Sequence, residues 1–412
     1  MSWYVTSLGA GAATRGMPFL ALLVFARQLG PNDFAQVSML AVASAWLTLL
    51  ASGGLEFTAM FEERRRLDGR APRALVPAWF VAIPVSVVAG LCFILFALLV
   101  GFPMTPWFVM VCSAVVMGLT QLPILGRARI RHDRRAMITF VVVPFTVSNV
   151  LRISALLISG DTSSAAAINP LWLWVAGDIT QALLVLLLAV PTMLRIGVRL
   201  PSGAMLREGL GSTRKSGPWV VNAGLQGALA NLDKFLLFGL VSAEAFGVYA
   251  LSYQLANIAN ILVSEYNKAR LGRIVRNHVA GTLAPIRAET LHYLAVLVIG
   301  GLFSVSAAFV LFRTSYPDIV WLTAILVASV LPIAWYVPLE NQVSVIDGRT
   351  TVLAIASLVG VVVGAAVLLS LVALIGVVAG VVGTAAGYVS TTAVLWWFST
   401  HGFRVGTATV PS

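Results

Sequence analysis

Charged side chains are scarce in this chain of 412 residues: Asp, Glu, Lys and Arg together make up 10% of it. Soluble globular domains carry about 25%, so the chain has too little charge to coat a water-facing surface. Histidine (4) and cysteine (2) are scarcer still. No His/Cys cluster has metal-ligand spacing. Cys92 and Cys112 both fall inside apolar blocks, where packing is their expected role. A Gly-rich loop ending in Lys-Ser/Thr is missing, which excludes a phosphate-loop ATPase motor.

What the chain has in abundance is hydrocarbon, with 59% hydrophobic residues. They come in unbroken blocks of roughly 20 to 27, the length a helix needs to cross a hydrocarbon core of about 30 Å. Inside lipid only helices and closed barrels satisfy the backbone. The blocks lack the period-two alternation of barrel strands, so helices are predicted. Twelve spans are expected, at 4–28, 34–60, 77–101, 104–126, 136–160, 168–194, 217–241, 245–267, 289–312, 317–346, 350–374 and 376–399. The tenth contains Pro332 and Pro338 and should be kinked or broken. The first is read as a span and not a signal peptide, because it lacks a basic leader and carries Arg15 near its middle.

The formal charge of +11 is a matter of topology. Of 27 Lys and Arg, 22 follow even-numbered spans, in groups such as Arg64–Arg73, Arg127–Arg135, Arg195–Lys215 and Lys268–Arg287. The positive-inside rule then places those loops and both termini in the cytoplasm of a bacterial inner (plasma) membrane. No nucleic-acid partner is expected. Loops on the other side are short, which speaks against an enzyme with its active site there.

Each half has six spans, with basic loops after its second and fourth. A repeat of even span number has its pseudo-symmetry axis along the membrane normal. The expected organisation is an N-terminal lobe 1–194, a cytoplasmic linker 195–216 and a C-terminal lobe 217–412.

Ionisable residues at membrane depth cost about 2.5–3.5 kcal/mol on insertion scales and mark interiors or wet cavities. Arg15 lies about eleven residues, or roughly 16 Å, into the first span. Arg152 and Lys234 lie deep in the fifth and seventh. Arg152 either faces a cavity or pairs with Asp178 of the next span. Glu56, Asp233, Glu265 and Glu340 are further acids in or at the ends of spans. Adjacent residues on a helix do not face each other, so Asp233 and Lys234 are expected to pair with other groups. Polar stripes at helical spacing run through Ser44, Thr48, Ser52 and Glu56; through Asn222, Gln226 and Asp233; and through Tyr253, Asn257, Asn260 and Ser264. Each alone is ordinary interhelical packing; together they point to a cleft.

The segment Phe25-Ala26-Arg27-Gln28-Leu29-Gly30-Pro31-Asn32-Asp33-Phe34 resembles the first helix–turn of Wzx-type polysaccharide flippases. These belong to the multidrug/oligosaccharidyl-lipid/polysaccharide (MOP) exporter superfamily. Asn231-Leu232-Asp233-Lys234, followed by Phe246-Gly247-Val248-Tyr249-Ala250, is similar to the start of that family's second repeat. Ala35 stands where a glycine often follows the phenylalanine. The resemblance implies an all-α, MATE-like fold of two pseudo-symmetric six-helix lobes alternating between inward- and outward-open states. It implies a polyprenyl-diphosphate-linked oligosaccharide as substrate, no covalent chemistry and no cofactor, with an H+ or Na+ gradient as the energy source. A polysaccharide polymerase and other cell-envelope assembly proteins would be its partners.

On this reading Arg15, Arg152 and Lys234 contact the diphosphate or sugar acids. Asn222, Gln226, Asn257 and Asn260 contact the glycan, and Asp233 or Glu56 takes the coupling ion. An arginine in the first helix favours an anionic substrate, where a cation exporter should show an acid. The rival readings are a drug or metabolite antiporter of the same fold, a membrane-embedded glycosyl- or acyltransferase, and a non-transporting scaffold.

Overall fold

The computed structural model describes residues 10, 12–52, 55, 59, 75–160, 169–196, 203–279, 286–346 and 350–401. No strand occurs among them. A π-helical turn, Ala12–Gly16, leads into α1 (Met17–Gln28), followed by α2 (Pro31–Ala51), α3 (Leu75–Leu99) and α4 (Met104–Arg131). A turn at Arg134–Met137 and a π-helical stretch, Ile138–Val142, enter α5 (Val143–Gly160), and α6 is Pro170–Ile196. Then come α7 (Gly203–Leu240), α8 (Ala243–Val279), α9 (Ile286–Phe312), α10 (Ile319–Ser329) and α11 (Ile333–Glu340). The last runs into a π-helical segment, Asn341–Ile346, before α12 (Thr350–Ile375) and α13 (Val378–His401).

Among the described residues, ten helical segments are long and apolar enough to cross a membrane, α10 and α11 together forming one of them, and the chain is a multi-pass membrane protein. Its burial pattern is inverted relative to a water-soluble domain. Leu98 on α3, Leu302 and Phe303 on α9 and Val362 on α12 are exposed, while Arg152, Asp178, Asp233 and Lys234 are buried. Lipid tolerates the first set, and the backbone and charges are satisfied inside the protein.

The expected tenth span is two helices. Pro332 lacks an N–H, and the chain passes from α10 to α11 through tight i to i−3 bonds such as Leu331 N to Ala328 O (3.2 Å). Pro31 begins α2, where its missing donor costs nothing. The stretch read as a linker is helical from Gly203 onward, as the start of α7. The second expected span is described as a continuous helix only to Ala51.

The chain forms two compact units, Met1–Val220 and Val221–Ser412. In the first, α2 packs on α3 and α4, α3 on α4, α4 on α6, α5 on α6, and α1 on α5. In the second, α8 packs on α9 and α10, α9 on α10 and α11, α11 on α13, and α12 on α13. With α10 and α11 standing for one broken helix, the pairings among α2–α6 recur among α8–α13.

Helices α12 and α13 approach closely on glycine faces. A Cβ on Gly364 would meet the Gly383 carbonyl oxygen at 2.9 Å, and one on Gly383 would meet that of Gly364 at 2.8 Å. Where lipid removes the hydrophobic drive for helix association, such contact between small residues holds helices together.

Candidate functional site

In the first unit, Arg15 is exposed on the π-helical turn that precedes α1. Such turns interrupt the regular hydrogen-bond ladder and recur at functional sites. Below it, Phe25 of α1 meets Trp174 of α6 edge-to-face, with ring centroids 5.5 Å apart.

Arg152 is enclosed, 3% exposed, and forms an ion pair with Asp178 of α6. Its Nε donates to the Trp174 carbonyl (3.2 Å), its Nη1 donates to Asn149 Oδ1 (2.9 Å), and its guanidinium lies 4.3 Å from the Trp174 ring centre. A Cβ on Gly177 would press on Arg152 Cγ at 2.6 Å, so the glycine makes room for the long side chain. Of the two alternatives open from the sequence, the α5–α6 pair is what forms.

The hydroxyl stripe on α2 is largely satisfied by its own helix. Thr48 Oγ1 donates to the Ser44 carbonyl and Ser52 Oγ to the Leu49 carbonyl, both at 2.7 Å. Glu56 lies outside the described residues.

In the second unit, Lys234 is 1% exposed and, contrary to expectation, pairs with its neighbour Asp233. The long side chain bends back along α7. Its Nζ donates to the Ala230 carbonyl (2.6 Å) and Asp233 Oδ1 (3.2 Å), and lies 3.1 Å from the Tyr253 ring centre. Tyr249 of α8 donates to the other Asp233 oxygen. The i, i+1 rule concerns side chains that stand straight out; a lysine stem folded toward a carbonyl one turn earlier escapes it.

Two turns earlier on α7, Gln226 Nε2 donates to Tyr336 Oη and to Glu340 Oε1 (2.9 Å), both on α11. Asn222 Oδ1 accepts from Ser357 of α12 at 3.1 Å. Asn257 and Asn260 are partly buried on α8, and the Asn260 Oδ1 atom is buried with no hydrogen-bond partner. Glu340 and Tyr336 were given no role from sequence. Their signal was an acid and a phenol four residues apart on a proline-broken span, at a position where Gln226 can reach both.

The structure therefore gathers Gln226, Tyr336 and Glu340 in one cluster, Asp233 and Lys234 in a second, and Arg152 and Asp178 in a third. The arrangement can hold a cation or proton at Glu340, and it leaves Arg15 exposed.

No protein-family model matches the sequence, and no curated protein matches it. Solved structures do share its fold. An inward-facing multidrug resistance MATE family transporter of the MOP superfamily aligns with a TM-score of 0.65 at 13% identity, over 96% of this chain and 97% of that one. A mutant of the Vibrio cholerae MATE transporter VcmN aligns at 0.60 and 12%, over 98% and 96%. An outward-facing MATE family transporter aligns at 0.52 and 13%, over 97% and 96%. At these identities the finding is the fold: all-helical and MATE-like.

Proposed function

We propose that this protein is a transporter that turns a polyprenyl-diphosphate-linked oligosaccharide from the cytoplasmic to the outer leaflet by alternating access. The observation that carries this reading is the exposed Arg15 on the π-helical turn that leads into the apolar helix α1. The other deep cations, Arg152 and Lys234, are enclosed beside carboxylates. A diphosphate leaving water needs charge-assisted partners, and a guanidinium offers a planar fork that stays protonated. Head-group contact accordingly falls to Arg15, while Arg152 ties α5 to α6.

Asn257 and Asn260 are the amides left to meet sugar hydroxyls, since Asn222 and Gln226 bond to Ser357, Tyr336 and Glu340. Glu340, bonded by a neutral amide, is better suited to a coupling proton or sodium ion than Asp233, which Lys234 already neutralises. The fold supports a transporter because solved proteins of this fold, captured inward- and outward-facing, are described as transporters. No bond is made or broken, and no enzyme chemistry is assigned.

The test is flipping of a fluorescent polyprenyl-diphosphate oligosaccharide in proteoliposomes. A charge-assisted hydrogen bond contributes about 1.5–3 kcal/mol, so Arg15→Ala should slow flipping roughly 10- to 100-fold, and Arg15→Lys less. Full transport by Arg15→Ala at normal protein level rejects the assignment.

The second reading is a drug antiporter, favoured by the multidrug description of the similar structures. Cation-stimulated efflux of a small cationic dye, with no flipping of the glycolipid, would establish it instead.

A further inference from the structure

The Lys234 ammonium is held by groups from α7 and α8. It has the Ala230 carbonyl at 2.6 Å, Asp233 Oδ1 at 3.2 Å and the Tyr253 ring centre at 3.1 Å. The Tyr253 hydroxyl donates to the same Ala230 carbonyl (2.8 Å), which fixes the ring against the ammonium. Tyr249 donates to the second Asp233 oxygen and orients the carboxylate. A carboxylate, a backbone carbonyl and an aromatic face around one positive charge are the donor types that also hold a free monovalent cation.

The pairing is not needed to join helices. Lys234 takes two of its three partners, Ala230 and Asp233, from its own helix, and the link from α7 to α8 is made by the tyrosine hydroxyls. Beside Asp233 lies a small cleft of about 20 Å³, lined also by Gly360, Gly364, Gly383 and Thr384. Thr384 is 5% exposed and lies beside Tyr249. The cleft leaves room for a water-sized group next to the carboxylate.

We propose that Lys234 is a tethered cation occupying a monovalent-cation site, and that truncating its side chain opens this site to a free ion of similar size, ammonium or potassium. In the intact protein the covalent ammonium keeps free cations out. If the transporter reading holds, any alkali-ion requirement of transport then arises elsewhere, and this consequence alone rests on that reading.

The experiment is thermal unfolding of the purified full chain in detergent, in choline, potassium or ammonium chloride at equal ionic strength. Wild type should unfold at one temperature in all three. Lys234→Ala should unfold roughly 5–10 °C lower in choline, with a saturable recovery on titrating ammonium or potassium. Lys234→Met, whose thioether fills the space, and Asp233→Asn/Lys234→Ala, which lacks the carboxylate, should show no cation response. A Lys234→Ala protein that unfolds at the same temperature in the three salts overturns the proposal. So does one that cannot be recovered in any of them while Lys234→Met can. Because unfolding and not flipping is read, this result stands or falls apart from the proposed transport.

Discussion

Arg152 on α5 and Asp178 on α6 form an ion pair inside a helix interface, with both side chains almost fully enclosed. The guanidinium also donates to Asn149 and the Trp174 carbonyl, and lays its face on the Trp174 ring. Buried pairs of this kind do not stabilise much relative to apolar packing, but removing one partner leaves a charge stranded.

Arg152→Ala should therefore destabilise the first unit by about 3–5 kcal/mol, whereas Arg152→Met/Asp178→Leu should recover most of the loss. Thermal unfolding in detergent reads both. An Arg152→Ala protein as stable as wild type would show that the pair is dispensable.

Gly383 sits where a methyl group would meet the Gly364 carbonyl at 2.8 Å and Leu368 Cβ at 3.0 Å. Gly383→Ala should cost about 1–3 kcal/mol through overpacking of α12 on α13. Gly16, with open space around its Cβ position, is the control for a helical glycine. Equal unfolding temperatures for the two alanine variants would contradict the close-contact account.

Glu340→Gln keeps the shape of the carboxyl group and removes its charge. If Glu340 carries the coupling ion, the variant should lose stimulation of flipping by an imposed proton or sodium gradient while ungated exchange persists. Tyr336→Phe, which removes the hydroxyl bonded to Gln226, should give a weaker version of the same defect. Gradient stimulation of Glu340→Gln equal to wild type places coupling elsewhere.

The basic loops predict sidedness. In a chain with Cys92 and Cys112 replaced, single cysteines introduced at Gly69 or His132 should react with an impermeant maleimide only from the cytoplasmic face. One placed at Asn32, in the first turn of α2, should react only from the opposite face. Labelling of all three from one side would reject the assigned topology.

Much of this architecture can be read from the chain itself. Apolar blocks of membrane length, punctuated by Gly-Pro at 30–31 and by Pro332, fix where helices run and where the tenth span breaks. The Arg152–Asp178 pair was one of two open alternatives, because it joins consecutive helices. Glu340 was visible only as an acid at depth. Its partner Gln226 lies more than a hundred residues away, and no periodicity within one helix reveals such a meeting.

The sequence alone determined which segments are helical and apolar, since transfer of a block of side chains into hydrocarbon depends on that block's own composition. Tertiary structure decided which charges cancel. Asp233 meets Lys234 because Ala230 and Tyr253 draw the ammonium back along α7, while Arg152 is buried against α6 and Arg15 stays exposed. Electrostatic pairing at low dielectric is set by distances between side chains on helices that only the fold brings together.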